Sequence, residues 1–164
     1  MSRGSQGLQA PQAAQALPSG PASAGRGIDA SVKVPWVFAD EATPFTKDLL
    51  DTLGEQVMWA PTLWVFECAN VLQSAQPRRR IDAHRRAEIA SELSTLPVRL
   101  DSEIPNFVNL VRLAAAHGLG ACDAAYAEFA LRRSLPLVSL DARLIAATRG
   151  LGHRVLSATS DVRN

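Results

Sequence analysis

The chain has 164 residues, 47% of them apolar and 20% charged, enough for one globular domain of ordinary size and too few for a second beside it. Seventeen Lys and Arg against sixteen Asp and Glu leave a net charge of +1, which excludes a whole-molecule field directed at nucleic acid or membrane, so polyanion binding has to come from local patches. Cys68 and Cys122 form neither a disulfide framework nor a zinc-ligand pattern, and no apolar run reaches the roughly 18 residues of a membrane span, so a soluble, cytoplasmic protein is expected.

Residues 1–27 are built from Gln, Ala, Ser, Gly and Pro, with Leu8 and Leu17 as the large aliphatic side chains. Such a segment buries too little surface to offset its ordering entropy, and it lacks the apolar run of a signal peptide. It is expected to be disordered, or an extension from a misplaced start. The folded body is expected over 28–158, with a short tail at 159–164.

The approach to Asp29, Ala24-Gly25-Arg26-Gly27-Ile28, predicts a first strand that is short and weak, because glycine and arginine suit a central strand poorly. Helical segments follow at 32–39 and 43–54, the second opened by Thr43 as N-cap with Pro44 behind it. Val57-Met58-Trp59 reads as a second strand. The segment 62–75 is apolar almost all round, which predicts a buried helix. Ile89, Leu93 and Leu96 stripe a helix over 81–96 that Pro97 ends, and Val98-Arg99-Leu100 is a third strand. Ile104, Phe107, Val108, Val111 and Ala115 mark the apolar face of a further helix, with Gly118 at its C-terminal cap. A helix over 121–135, a strand over 136–140, a helix over 142–149 closed by Gly150, and a strand at 154–156 complete the chain. Strands separated by helices call for a parallel sheet covered on both faces, an α/β fold.

Four carboxylates stand out. In an open parallel sheet the reactive groups gather at the carboxyl ends of the strands, and Asp29 and Asp141 directly follow the first and fourth strands. Glu67 lies within Leu63-Trp64-Val65-Phe66-Glu67-Cys68-Ala69-Asn70-Val71-Leu72, where an unpaired carboxylate costs several kcal/mol or is forced neutral. It needs a cation. Asp123 interrupts Ala121-Cys122-Asp123-Ala124-Ala125-Tyr126 at the start of a helix. With no catalytic-looking His or Lys beside them, four such acids suit a hard divalent ion such as Mg²⁺. Structural roles compete: Asp123 as a first-turn charge, Asp141 as an N-cap, Asp29 as a turn residue.

Asp29-Ala30-Ser31 with the apolar run to Phe38 and Asp40-Glu41, Trp59-Ala60-Pro61 leading to Glu67, His117-Gly118-Leu119 with Cys122 to Tyr126, and Pro136-Leu137-Val138-Ser139-Leu140-Asp141 together resemble the PIN-domain ribonucleases, and among them the VapC-type toxins of bacterial toxin–antitoxin operons. The resemblance covers about residues 28–157. It implies a three-layer sandwich with sheet order 3-2-1-4-5, which sets the first and fourth strands side by side. It also implies Mg²⁺- or Mn²⁺-dependent endonucleolytic cleavage of RNA, a homodimer, and a cognate antitoxin whose tail crosses the acidic pocket. The family's acidic positions correspond to Asp29, Glu67, Asp123 and Asp141, with Asp29 and Asp123 the first choices as direct ligands. Glu67 and Asp141 either hold a second ion or orient water. Ser31 and Ser139 correspond to its supporting hydroxyls.

Arg78, Arg79, Arg80, Arg85 and Arg86 cluster locally, opposite in sign to Asp40, Glu41, Asp48, Asp51 and Glu55. This cluster can hold RNA phosphates or an acidic partner, or form a solvated helix end. His84, His117 and His153 match no ligand spacing and read as structural, the two cysteines as small buried thiols, and Trp36, Trp59 and Trp64 as core. Two other readings compete with the nuclease. An aspartate-nucleophile phosphatase would also place an acid after the first strand, but Ser31 stands where its second carboxylate belongs. A catalytically impaired module of the same fold would bind RNA or protein without needing any one of the acids.

Overall fold

The structure, a computed structural model, describes residues 25–158. Of the expected tails, 1–27 and 159–164, all but residues 25–27 lie outside the described residues. Five strands, β1 (Arg26–Ile28), β2 (Met58–Pro61), β3 (Val98–Asp101), β4 (Leu137–Val138) and β5 (Val155–Leu156), form one sheet in the order 3-2-1-4-5, with every pairing parallel. The helices are α1 (Lys33–Val37), α2 (Pro44–Asp51), α3 (Leu63–Ala75), α4 (Ala83–Ser94), α5 (Phe107–His117), α6 (Ala121–Arg133) and α7 (Ala142–Gly150). Strand order reverses between β1 and β4, so a crevice opens at the carboxyl ends of those two strands, where such sheets bind ligands.

The first strand is short, as expected, but its glycine has a packing reason. A Cβ on Gly27 would lie 2.9 Å from Cε1 of Phe129, a ring on α6 that is fully buried, so glycine lets that aromatic ring lie against the strand. Gly27 pairs with Trp59 on one side and Leu137 on the other, and Asp29 N donates to Val138 O at 3.1 Å. The folded body therefore reaches back through Arg26, past the boundary expected at residue 28. The main core joins Ile28, Met58, Leu137 and Val138 of the sheet to Tyr126 and Phe129 of α6 and Leu144 of α7.

Local signals for the helix ends match the structure. Thr43 and Thr46 form a reciprocal capping box ahead of Pro44, Asp82 caps α4, and Gly118 closes α5 in the left-handed region at φ +62°.

Two burial expectations fail. Helix α3 is buried along Trp64, Cys68, Leu72 and Ala75 alone, while Val65 and Phe66 face out. On α5 the predicted stripe is reversed: Ile104 ahead of the helix and Phe107, Val108 and Val111 within it are exposed, and Leu110, Leu113 and Ala114 pack on the core instead. The helix carries two apolar stripes, and periodicity alone does not choose between them. The fourth strand is also shorter than expected, two residues in place of five.

At the end of edge strand β3, buried Asp101 accepts hydrogen bonds from Arg132 and Arg133, each at 2.8 Å. Burial alone would raise its pKa, but these two guanidinium groups hold it at about 2. Arg133 also stacks over Trp59, 4.3 Å from the ring centroid. The cluster ties the C-terminal end of α6 to the β2–β3 side of the sheet.

Candidate active site

Asp29 leaves β1 with extended backbone and caps a 3-10 turn, Ala30–Val32. Its Oδ1 accepts from Ser31 N at 3.0 Å and Ser31 Oγ at 2.5 Å, and its Oδ2 accepts from Ser139 Oγ at 2.8 Å. Each serine is held in turn: Ser31 Oγ accepts Leu140 N at 2.8 Å, and Ser139 Oγ accepts Asp141 N at 3.0 Å. The ends of β1 and β4 are thus fastened around one buried carboxylate. Burial pushes the Asp29 pKa up to about 6; the Ser31 and Ser139 bonds pull against it, and the Asp141 charge adds to the rise.

Asp141 caps α7, accepting Leu144 N at 2.8 Å. Asp123 sits in the first turn of α6, where burial first, then Asp141 and Glu67, raise its pKa, while a backbone bond with Gly120 and the charge of Arg143 lower it. Glu67 accepts a hydrogen bond from the hydroxyl of buried Tyr126 at 2.5 Å. The structure therefore brings Asp29, Asp123, Asp141 and Glu67 into one electrostatic neighbourhood at the β1–β4 crevice, with Ser31 and Ser139 beneath Asp29. The capping roles of Asp29 and Asp141 coexist with this placement, since each leaves carboxylate oxygen capacity free.

Sequence reasoning missed Lys33. It is 3% exposed, and Cys68, Glu67 and Asp29 all act on its charge, holding up a pKa that burial lowers. The only signal in the sequence is a lysine inside the apolar run from Val32 to Phe38, four residues after Asp29. Tyr126 and the exposed Arg143 of α7 were also missed. Cys68 is a buried thiol whose pKa burial raises to about 11, whereas Cys122 is exposed rather than buried.

The arginine cluster is not one free patch. Arg80 pairs with Glu41 at 2.7 Å and Asp40 at 3.4 Å and lies over the Phe38 ring. Arg85 pairs with Glu88 and Glu92, and Arg86 bonds to Gln73 and Gln76. Arg78 and Arg79 are exposed on the α3–α4 connection. Eight residues of α3 separate Glu67 from Ala75, about 12 Å along the helix axis, so the arginines lie along a flank and not in the crevice.

Among the described residues, no three His, Cys, Asp or Glu side chains converge tightly enough to enclose a metal ion. The donor chemistry nonetheless fits a hard divalent ion: all the candidate ligands are oxygens, and burial and mutual repulsion raise the pKa values of Asp29 and Asp123. Mg²⁺ retains several waters and needs only one or two direct carboxylates, so an enclosing cage is not required.

The PIN domain family matches residues 28–150. In structure the chain is similar to PAE2754 from Pyrobaculum aerophilum, with a TM-score of 0.60 and 23% identity over 84% of this chain and 92% of that one. It is also similar to FitAcB from Neisseria gonorrhoeae, with a TM-score of 0.54 and 15% identity over 80% and 94% of the two chains. At these identities the likeness is one of fold. None of the curated proteins matches the chain.

Proposed function

The chain belongs to the PIN-domain family, whose members are generally nucleases, and from that premise we propose that it is a metal-dependent endoribonuclease, the toxin of a toxin–antitoxin pair. The observation that carries the reading is the hydrogen-bonded Asp29 at the β1–β4 crevice, within electrostatic reach of Asp123, Asp141 and Glu67. Asp29 and Asp123 are the direct ligands of Mg²⁺ or Mn²⁺, with Glu67 and Asp141 holding a second ion or orienting water. The bound ion supplies Lewis acidity towards the phosphodiester and its attacking water.

The protein's own groups do the rest. Ser31 and Ser139 fix Asp29 and keep its carboxylate aimed, Tyr126 fixes Glu67, and Arg143 at the rim offsets charge on the scissile phosphate. Arg78 and Arg79, exposed on the α3–α4 connection, hold flanking phosphates of the RNA or acidic residues of the antitoxin. An apolar groove of about 520 Å³ between α3 and α4, lined by Trp64, Val65, Leu72, Leu93 and Leu96 with Arg86 at its edge, suits an antitoxin segment that is apolar on one face and acidic on the other.

A homodimer is part of the same reading. Phe66, Ile104, Phe107, Val108 and Val111 are all exposed, and Thr62 N donates to Asp101 O, which sets the start of α3 beside the end of β3. Apolar patches of this extent are rare on soluble monomers, and a second copy covers this one. No helix among the described residues is long and apolar enough to cross a membrane, and a cytoplasmic location accompanies the toxin assignment.

The test is RNA cleavage by purified, antitoxin-free protein in Mg²⁺ or Mn²⁺, beside EDTA and Asp123→Asn controls. Cleavage lost in both controls is the expected result. Folded protein that binds RNA but never cuts it would transfer the assignment to a binding module of the same fold.

A further inference from the structure

The apolar groove between α3 and α4 does not end at the helices. Its lining continues onto the sheet through Val98 and Leu100 of β3, which stands at the edge of the order 3-2-1-4-5. Thr62 N donates to Asp101 O at 3.1 Å, so Asp101, and Arg99 two residues before it, turn their backbone N–H and C=O groups towards β2. Val98 and Leu100 alternate with them. Their side chains line the groove, while the Val98 carbonyl and both backbone groups of Leu100 point out from the open edge. Leu100 is 44% exposed.

Native sheets blunt their edges with short strands, bulges, lysine or proline. At the opposite edge β5 is only two residues long, but β3 runs for four, with no lysine or proline, and the outward-turned residues carry apolar side chains. Two groups of the groove are also incompletely answered. Arg86 is hydrogen-bonded to the neutral Gln73 and Gln76 and makes no ion pair among the described residues. Trp64 is 5% exposed, and its indole Nε1–H has no acceptor among the described residues, although buried donors are nearly always paired.

We propose that the β3 edge is a strand-addition site. An extended peptide segment of a protein partner pairs with the backbone of Val98 and Leu100 as a sixth strand, sets alternate apolar side chains in the groove and brings one carboxylate to Arg86. This deepens the partner reading of the groove and rests on it, but it does not depend on RNA cleavage. A helix laid in the same groove would fill the apolar lining and leave the outward backbone groups of Leu100 unpaired, so the edge favours a strand.

The experiment takes the full chain and peptides selected against it from a random twelve-residue library, and follows binding by fluorescence anisotropy and amide hydrogen exchange. The selected peptides are expected to alternate apolar and polar residues and to carry an acid. Methylating their alternate backbone nitrogens, and Arg86→Glu in the protein, should each weaken binding at least tenfold, and the Leu100 amide should exchange at least tenfold more slowly in the complex. Leu100→Pro removes an N–H that the sheet does not use and should weaken binding more than Leu100→Ala does; should the proline variant not fold, exchange at Leu100 in wild type decides. Peptides with helical apolar spacing that leave the Leu100 amide unprotected overturn strand addition and keep the groove as a partner site. A library that yields no peptide sensitive to Arg86→Glu overturns both. Protection of Leu100 in the peptide-free protein also overturns the proposal, because the edge is then already covered, by a second copy where dilution removes the protection.

Discussion

Ser139 Oγ donates to Asp29 Oδ2 at 2.8 Å across 110 residues of chain, and the same oxygen accepts Asp141 N at 3.0 Å. One hydroxyl thus fastens β1 to β4 and sets two of the candidate acids relative to each other. In Ser139→Ala a buried carboxylate loses a donor and the Asp141 N–H loses an acceptor, a cost of about 1–3 kcal/mol. The Asp29 pKa should climb further, because the lost bond favoured the charged form. A lower urea midpoint is expected, together with Mn²⁺ binding that begins at higher pH than in wild type. An unchanged midpoint and an unchanged pH dependence would reduce Ser139 to a bystander.

Asp29 makes the metal-free protein sensitive to pH in an unusual direction. Its pKa in the folded state is about 6, against an ordinary value of 3.8, so the folded chain holds this proton more tightly than the unfolded chain. The resulting stability is complete below about pH 4 and is lost as pH rises through 6, on the order of 3 kcal/mol. Asp101 acts oppositely: with a pKa of about 2, its contribution is present above pH 4 and is lost as pH falls towards 2. Urea unfolding of chelated protein between pH 4.5 and 7.5, with Asp29→Asn as reference, isolates the first effect. A wild-type advantage that does not shrink as pH rises through this range would show that Asp29 ionises normally.

Asp123 is costly to the fold, since burial and the charges of Asp141 and Glu67 all disfavour its ionised form. Asp123→Asn is therefore expected to melt at or above the wild-type temperature while losing at least a hundredfold in cleavage rate. A large drop in melting temperature would identify a structural residue, and undiminished cleavage would remove Asp123 from the active site.

The seven helices were legible in short-range signals, apolar runs with Thr43 and Gly118 as caps, and Asp29 and Asp141 stood out as acids at strand ends, whereas the sheet order came with the PIN-domain resemblance. What escaped depends on contacts between distant segments. Lys33 stands inside an apolar run, and nothing in that local window shows that the distant Glu67 acts on its charge. Asp101 gives no sign of Arg132 and Arg133, about thirty residues on. The arginine cluster seemed free until Asp40 and Glu41 folded back onto Arg80.

Gly27 is the clearest case of a residue misjudged on propensity. It makes a weak strand in isolation, yet a side chain there would collide with Phe129. Overpacking of this kind costs typically about 1–3 kcal/mol, so Gly27→Ala should lower the melting temperature even though alanine adds only one carbon. Phe129→Leu vacates the contacted ring edge, and the double variant should be less destabilised than the two single effects added together. Strictly additive losses would mean that Gly27 is needed for its backbone alone.

The exposed face of α5 yields the last prediction. Phe107 is 77% exposed and Ile104 87% exposed, and neither contributes to the main core. A charge placed there should be neutral in a monomer and strongly unfavourable in an interface that buries it. By light scattering, wild type is expected at twice the 17.6 kDa chain mass and Phe107→Glu at the single-chain mass, with no loss of melting temperature at high dilution. All four candidate acids come from one chain, so the monomeric variant should still bind Mn²⁺. A wild-type protein that is monomeric at every concentration would leave this face to the antitoxin, and Phe107→Glu would then weaken antitoxin binding instead.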